Sequence, residues 1–183
     1  MRARGPLRWG VRDGEAVLRL WSDGLLDLIR RDYRLDWDGL HGFPHWVRVR
    51  ENGLRLAAMT GADPVVVELF ALLHDSRRRN DAWDPRHGAR AAESVEALNG
   101  SYFDLSAPQL ELLKIACAFH SDGLTKGDVT VRACWDADRL DLGRIGTRPR
   151  LELFCTDAAR QPEILDWAWL RSISGPGDSS WRE

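Results

Sequence analysis

Apolar residues recur at three- and four-residue steps along most of the chain, the spacing of one helix face, and nowhere alternate as a half-buried strand would. Between Glu15 and Tyr33, the positions Val17, Leu18, Trp21, Leu25, Leu28 and Ile29 predict an amphipathic helix, weakened at Gly24. The turn Asp38-Gly39-Leu40-His41-Gly42 leads into a second helix starting near Pro44, a residue suited to the first helical turn, with His45, Val49 and Leu56 along one side. Asp63 and Pro64 read as cap and first position of a nearly all-apolar helix that ends at Leu73 and runs straight into His74 and Asp75.

Downstream, Asp84-Pro85 predicts the same cap-and-proline start for a helix to about Leu98, with His87 in its first turn and Asn99-Gly100 as its stop. Ser106 to Gln109 spells a capping box, and its helix would align Leu110, Leu113, Cys117 and His120 before Asp122-Gly123 breaks it. From about Asp128, a further helix places Val131, Trp135, Asp138 and Leu142 on one stripe, with Asp136 well round the cylinder. Leu151–Ala159 and Pro162–Ile173 predict two more short helices. The expected fold is all-α, one domain over residues 15–173, between a loose arm at 1–14 and a Gly/Ser-rich tail at 174–183 expected to be disordered.

Composition narrows the partners. The 183 residues suffice for one substantial core, and 26 Lys and Arg against 28 Asp and Glu give no overall basic field to recruit nucleic acid or an anionic membrane. The sequence MRARGPLRWGVRDGE lacks the apolar core of a secretory leader, and no stretch approaches the roughly 18 apolar residues of a membrane span. Cys117, Cys134 and Cys155 are odd in number and set in apolar surroundings, as free thiols in a reducing compartment would be, so a cytoplasmic location is expected.

The candidate chemistry starts at His74-Asp75. An unpaired polar group buried after an apolar helix costs roughly 2–7 kcal/mol, and a metal ion would satisfy imidazole and carboxylate together. Of the five histidines, His45, His74, His87 and His120 fall at helix ends or in first turns, and His41 alone falls in a turn. Each has a plainer reading: His45 as a core or capping residue, His87 and His120 as helix-terminus histidines, Asp138 as the salt-bridge partner of an arginine. Arg77, Arg78 and Arg79 follow the dyad directly, either as a solvated run or as guanidinium forks for a phosphate. Trp83 on the same loop could stack on a base, though with nine tryptophans in the chain covering the core is the simpler expectation.

Taken together, His45 in HWVRV, His74-Asp75 closing a buried helix, and Asp138 in ADRL resemble, in that order, the HD superfamily of metal-dependent phosphohydrolases. The resemblance implies a helical bundle of roughly seven to eight helices. It implies that His45, His74, Asp75 and Asp138 hold a divalent transition metal (Mn, Fe, Co, Ni or Zn). It further implies that Asp75 or His87 orients the attacking water, and that His87 and His120 hold a second ion or the substrate phosphate. Asp-x-x-His-Gly at Asp84 to Gly88 fits this pattern, whereas the tyrosine-proline element of the cyclic-dinucleotide esterase branch is missing after His120. Arg77, Arg78, Arg79 and Arg139 are the expected contacts to a small phosphorylated substrate, a nucleotide among the candidates. Asp136 and Asp141 are expected to be surface charges or to support the ligands from behind. Two alternatives share the fold: a di-iron oxygenase, and a metal-stabilised binding module without turnover.

Overall fold

The computed structural model describes residues 20–174, which form seven α-helices and two short 3-10 turns. The loose arm expected at 1–14 lies outside the described residues, as does all of the tail expected at 174–183 except Ser174. The helices are α1 (Asp23–Asp32), α2 (Phe43–Thr60), α3 (Pro64–Leu73), α4 (His87–Leu98), α5 (Ala107–Phe119), α6 (Val129–Arg139) and α7 (Pro162–Ile173). No strand occurs among the described residues, only an isolated bridge between Asn99 and Phe103.

Helix α3 is the axis of the bundle. Its sequence PVVVELFALL is apolar on every side, and all residues from Val66 to Leu73 are buried, because α2, α5 and α6 pack around it. Glu68 is the one charge inside it and is neutralised by Arg50 at 2.8 Å. The Asp63 carboxylate caps the start by accepting from the amides of Val65 and Val66. A helix so enclosed delivers the two residues at its end, His74 and Asp75, into the interior.

Two glycines set the helix spacing. A Cβ on Gly53 of α2 would lie 2.5 Å from Val67 Cγ1, so α2 and α3 touch backbone to side chain. A Cβ on Gly88 of α4 would lie 2.6 Å from the Cys117 carbonyl oxygen, which holds α4 against the end of α5. Asn52 of α2 donates to the Ala137 carbonyl of α6 at 3.0 Å, fixing the turn that carries Asp138.

Several elements depart from expectation, each for a local reason. Among the described residues the first helix begins at Asp23, where the Ser22 hydroxyl accepts from the Leu25 amide as its cap; the expected start from Glu15 through Leu18 lies outside the described residues. Asp84 does not cap α4, which starts at His87: its carboxylate is taken by the Arg79 amide at 2.9 Å and by Arg90 at 2.5 Å. The helix expected over Leu151–Ala159 is a single 3-10 turn at Leu151–Leu153. The amides of Cys155 and Thr156 point instead at the Asp136 carboxylate, at 2.7 and 2.9 Å. Asp136 is therefore wholly buried and pins the 154–156 segment, which rules out a surface charge. Asp138, on a different side of α6, is the more exposed of the two.

Candidate metal centre

Five helix-borne segments converge on one interior point. His45 comes from the first turn of α2, His74 and Asp75 from the end of α3, His87 from the start of α4, His120 from the end of α5, and Asp138 from the last turn of α6. All four imidazoles are at least nine-tenths buried.

Every one of these imidazoles spends its Nδ1 on an oxygen that can only accept. His45 donates to Asp141 at 2.7 Å, His74 to the Phe70 and Ala71 carbonyls at 3.1 and 3.2 Å, His87 to the Asp84 carbonyl at 2.5 Å, and His120 to the Cys117 carbonyl at 2.8 Å. Each Nδ1 therefore carries a proton, and a ring that holds only that proton turns an Nε2 lone pair inward. These lone pairs face one another: His45 and His74 Nε2 are 3.2 Å apart, His87 and His120 Nε2 2.8 Å. Two lone pairs at such distances repel unless a proton or a metal cation lies between them.

Asp75 joins the two pairs. Its Oδ2 is 3.8 Å from the Nε2 of both His45 and His74, and its Oδ1 is 3.3 Å from His87 and 3.4 Å from His120. Asp138 completes the first cluster, with Oδ1 3.4 Å from His45 and 3.9 Å from His74. His45, His74 and Asp138 form one group of donor atoms close enough for a single ion, and His74, Asp75 and His120 form another. The mixed nitrogen and oxygen donors suit a divalent transition metal better than magnesium, which favours oxygen alone.

Electrostatics agree with a ligand set. Burial pushes the His74 imidazole down to about 3, against the pull of Asp75 and Asp138, so it stays neutral. Burial also lowers His87, reinforced by His120. Desolvation would raise the Asp75 carboxyl, yet the surrounding imidazoles of His74, His120 and His45 hold it well below the usual range. Asp138 behaves alike, kept ionised by His45, His74 and Arg144 against its burial. His120 is the exception: burial works against its charged form, but its bond to Asp75 and that carboxylate's charge raise it.

A solved structure, that of a predicted HD superfamily hydrolase from an uncultured Thermotogales bacterium, is similar to this chain with a TM-score of 0.61 and 27% identity, covering 82% of this chain and 86% of that one. The chain has the HD-domain fold. No protein-family model matches the sequence, and no curated protein matches it significantly. Among the described residues no helix is long and apolar enough to cross a membrane.

Within this HD-domain fold, the expected substrate arginines separate. Arg78 is buried and lies against the second cluster, its Nη1 3.4 Å from Asp75 Oδ1 and 3.3 Å from His87 Nε2. The Asn80 and Ala82 carbonyls hold the rest of its guanidinium. Arg77 pairs with Asp32 at 3.2 Å, and Arg79 is exposed. Arg139 is corrected out of the substrate set: its guanidinium is buried and committed to the Leu124 and Leu153 carbonyls, both at 2.6 Å, so it braces loops. Trp83, expected to cover the core, is 84% exposed on the arginine loop.

Some residues escaped the sequence reading. Arg48, one turn beyond His45, grips both oxygens of Asp141 at 2.6 and 3.0 Å, and so fixes the carboxylate that orients His45. Asp141 is buried and accepts from His45, which excludes its surface alternative. His41, set aside as a turn residue, is nine-tenths buried and donates through Nδ1 to Asp81 at 2.8 Å; its i, i+4 spacing to His45 is the signal that could have flagged it.

Proposed function

We propose that the chain is a metal-dependent phosphohydrolase of the HD type, acting on a phosphate ester or anhydride of a small anionic substrate. The observation that carries this reading is the bridging position of Asp75, one oxygen toward His45 and His74 and the other toward His87 and His120, with Arg78 beside it. His45, His74, Asp75 and Asp138 would hold one divalent transition metal ion, and Asp75, His87 and His120 a second. Bound there, such ions would lower the pKa of a coordinated water from about 15.7 toward roughly 7 and polarise a phosphoryl oxygen.

The chain's own groups supply the rest. Asp75, held ionised, is an acceptor that can orient the attacking water. Arg78 is pinned by two carbonyls, so its Nη1 is preset to donate to a phosphoryl oxygen without reorganisation. The buried ring of imidazoles excludes bulk water from these contacts. A nucleotide falls within the substrate class, and the buried free thiols Cys117, Cys134 and Cys155 fit a cytoplasmic, reducing setting.

Metal analysis of the purified chain, followed by a phosphoester and phosphoanhydride screen with Mn, Fe, Co, Ni and Zn added back, tests the proposal. Metal-dependent phosphate release is expected. Tightly held metal without release from any substrate would favour a binding module, and a visible charge-transfer band on aerobic iron loading would favour oxygenation.

A further inference from the structure

Arg78 is aimed by a loop tip that has little else to hold it. Residues 80–83 are all exposed, and none of them packs into the core. Among the described residues the tip makes three hydrogen bonds. The Asn80 and Ala82 carbonyls accept from Arg78 Nε and Nη2 at 3.3 and 3.0 Å, and the Asp81 carboxylate accepts from His41 Nδ1 at 2.8 Å. The first two tie the tip to the very arginine whose direction they set, so they cannot anchor both. Apart from the chain itself, the third is what joins the tip to the rest of the fold.

His41 is well placed to be that anchor. It is nine-tenths buried in the turn that enters α2, the Tyr33 hydroxyl donates to its carbonyl at 2.7 Å, and Arg144 Nε donates to the neighbouring Leu40 carbonyl at 2.9 Å. Asp81 lies between Asn80 and Ala82, so a bond that fixes its side chain restrains the peptide groups on both sides, the same two that Arg78 uses. With Nε and Nη2 spent on those carbonyls, Nη1 is left facing Asp75 Oδ1 at 3.4 Å and His87 Nε2 at 3.3 Å. An arginine ordered before its ligand arrives loses less side-chain freedom on binding and so binds more tightly.

We propose that His41 is a positioning residue for Arg78: through Asp81 it fixes the 80–82 segment whose carbonyls aim Nη1 at the cluster, and so raises the affinity of the centre for a phosphoryl group. The gain in affinity rests on the reading above that Arg78 donates to a phosphoryl oxygen; the fixing of the loop does not. The Asp81 side chain is half exposed, so Asp81→Ala removes the bond without opening a cavity, and Asp81→Asn keeps an oxygen that can still accept from His41.

Two measurements on the full chain with zinc added test the two parts. The first is nitrogen-15 relaxation of the 81–83 amides together with solvent exchange of the Arg78 Nε–H. Wild type should show an ordered tip; His41→Ala and Asp81→Ala should disorder it and speed the Nε–H exchange about tenfold or more, Asp81→Asn should largely restore both, and metal content should be the same throughout. A tip that stays ordered in His41→Ala and Asp81→Ala overturns the proposal, as does a loss of metal in Asp81→Ala, which would give the pair a part in building the centre instead. The second is calorimetric titration with inorganic phosphate. Asp81→Ala should weaken binding about fivefold to tenfold, the scale of one hydrogen bond, whereas added to Arg78→Gln it should change affinity by less than about twofold, because a residue that acts through another has no effect once the other is gone. The full loss in the Arg78→Gln background would mean that Asp81 acts without Arg78, and overturns the proposal. If wild-type protein binds no phosphate, the relaxation result still decides whether His41 fixes Arg78, and it is the proposed phosphohydrolase reading that fails.

Discussion

His45 donates its Nδ1 proton to Asp141 across 2.7 Å, and so Asp141 decides which nitrogen of His45 faces the candidate metal centre. Carboxylates in that position orient the ring and raise its basicity, and losing one typically costs about 10–100-fold in metal affinity. Asp141→Asn should show a loss of that size in competition with a chelating dye. The melting temperature should also fall, because Arg48 loses the charge that faces it. Undiminished affinity would mean that the tautomer of His45 is set by something else.

Asp138 and Asp136 lie two residues apart on α6 and do different work. Asp138 faces His45 and His74, whereas Asp136 accepts from the amides of Cys155 and Thr156 and from the Thr156 hydroxyl at 2.8 Å. Asp138→Asn should empty the site while leaving the fold intact, since the amide keeps the shape and removes the charge. Asp136→Asn should retain metal in the folded fraction but lower stability by about 1–3 kcal/mol, because an amide cannot accept all three bonds. Metal per folded chain and thermal melting in both variants separate the roles. An emptied site in Asp136→Asn would show that the 154–156 segment, not Asp138, shapes the centre.

The contrast between these two aspartates shows what could be read from the chain alone. Periodicity is a local signal, and it places α2, α3, α5 and α6 with their histidines and caps. It also places Asp136 and Asp138 on different sides of their helix. It does not say what lies on each side, and the partner of Asp136 is a loop some twenty residues away in sequence. The same long-range capture removes a helix at Leu151–Ala159 that the pattern predicts, while Asp84 is claimed from its expected cap by Arg79 and Arg90, five and six residues away. Arg139 follows ADRL's aspartate directly, yet its environment is set by carbonyls at Leu124 and Leu153 that no spacing rule reaches. The histidines gathered legibly because each falls at the end of a strongly patterned helix.

The Asp84 carboxylate ties the arginine loop to α4 and gives a pH signature. Burial would raise its pKa, but the Arg79 amide and Arg90 outweigh this and hold it below the ordinary aspartate range. A folded-state pKa below the unfolded one means stabilisation that is complete above the unfolded value and is lost as pH falls through the folded one. Asp84→Asn should therefore melt lower at neutral pH by about 1 kcal/mol of stability, with the gap to wild type closing below the ordinary aspartate range. Melting curves from neutral to acidic pH check this. A gap that persists at the acid end would assign the loss to packing and not to charge.

Gly88 follows His87 in the chain and sits against the carbonyls of Cys117 and Ala118, where a Cβ would fall 2.6 and 2.7 Å from the two oxygens. Backbone atoms of a packed helix end cannot yield at such distances, so Gly88→Ala must move α4 away from α5. His87 moves with α4, while His120 stays with α5, and their Nε2 separation of 2.8 Å opens. Overpacking of this kind costs about 1–3 kcal/mol, and the proposed second ion should be lost, taking metal content from about two per chain to about one. Gly24→Ala serves as the control, since the nearest atom to its added Cβ is Tyr102 Cε1 at 3.9 Å. Alanine there should stabilise α1 by up to about 1 kcal/mol through helix propensity alone. Elemental analysis together with melting temperatures reads both effects: a Gly88→Ala protein that melts like wild type and keeps its full metal content would show that the close approach of α4 to α5 does not hold the second cluster together.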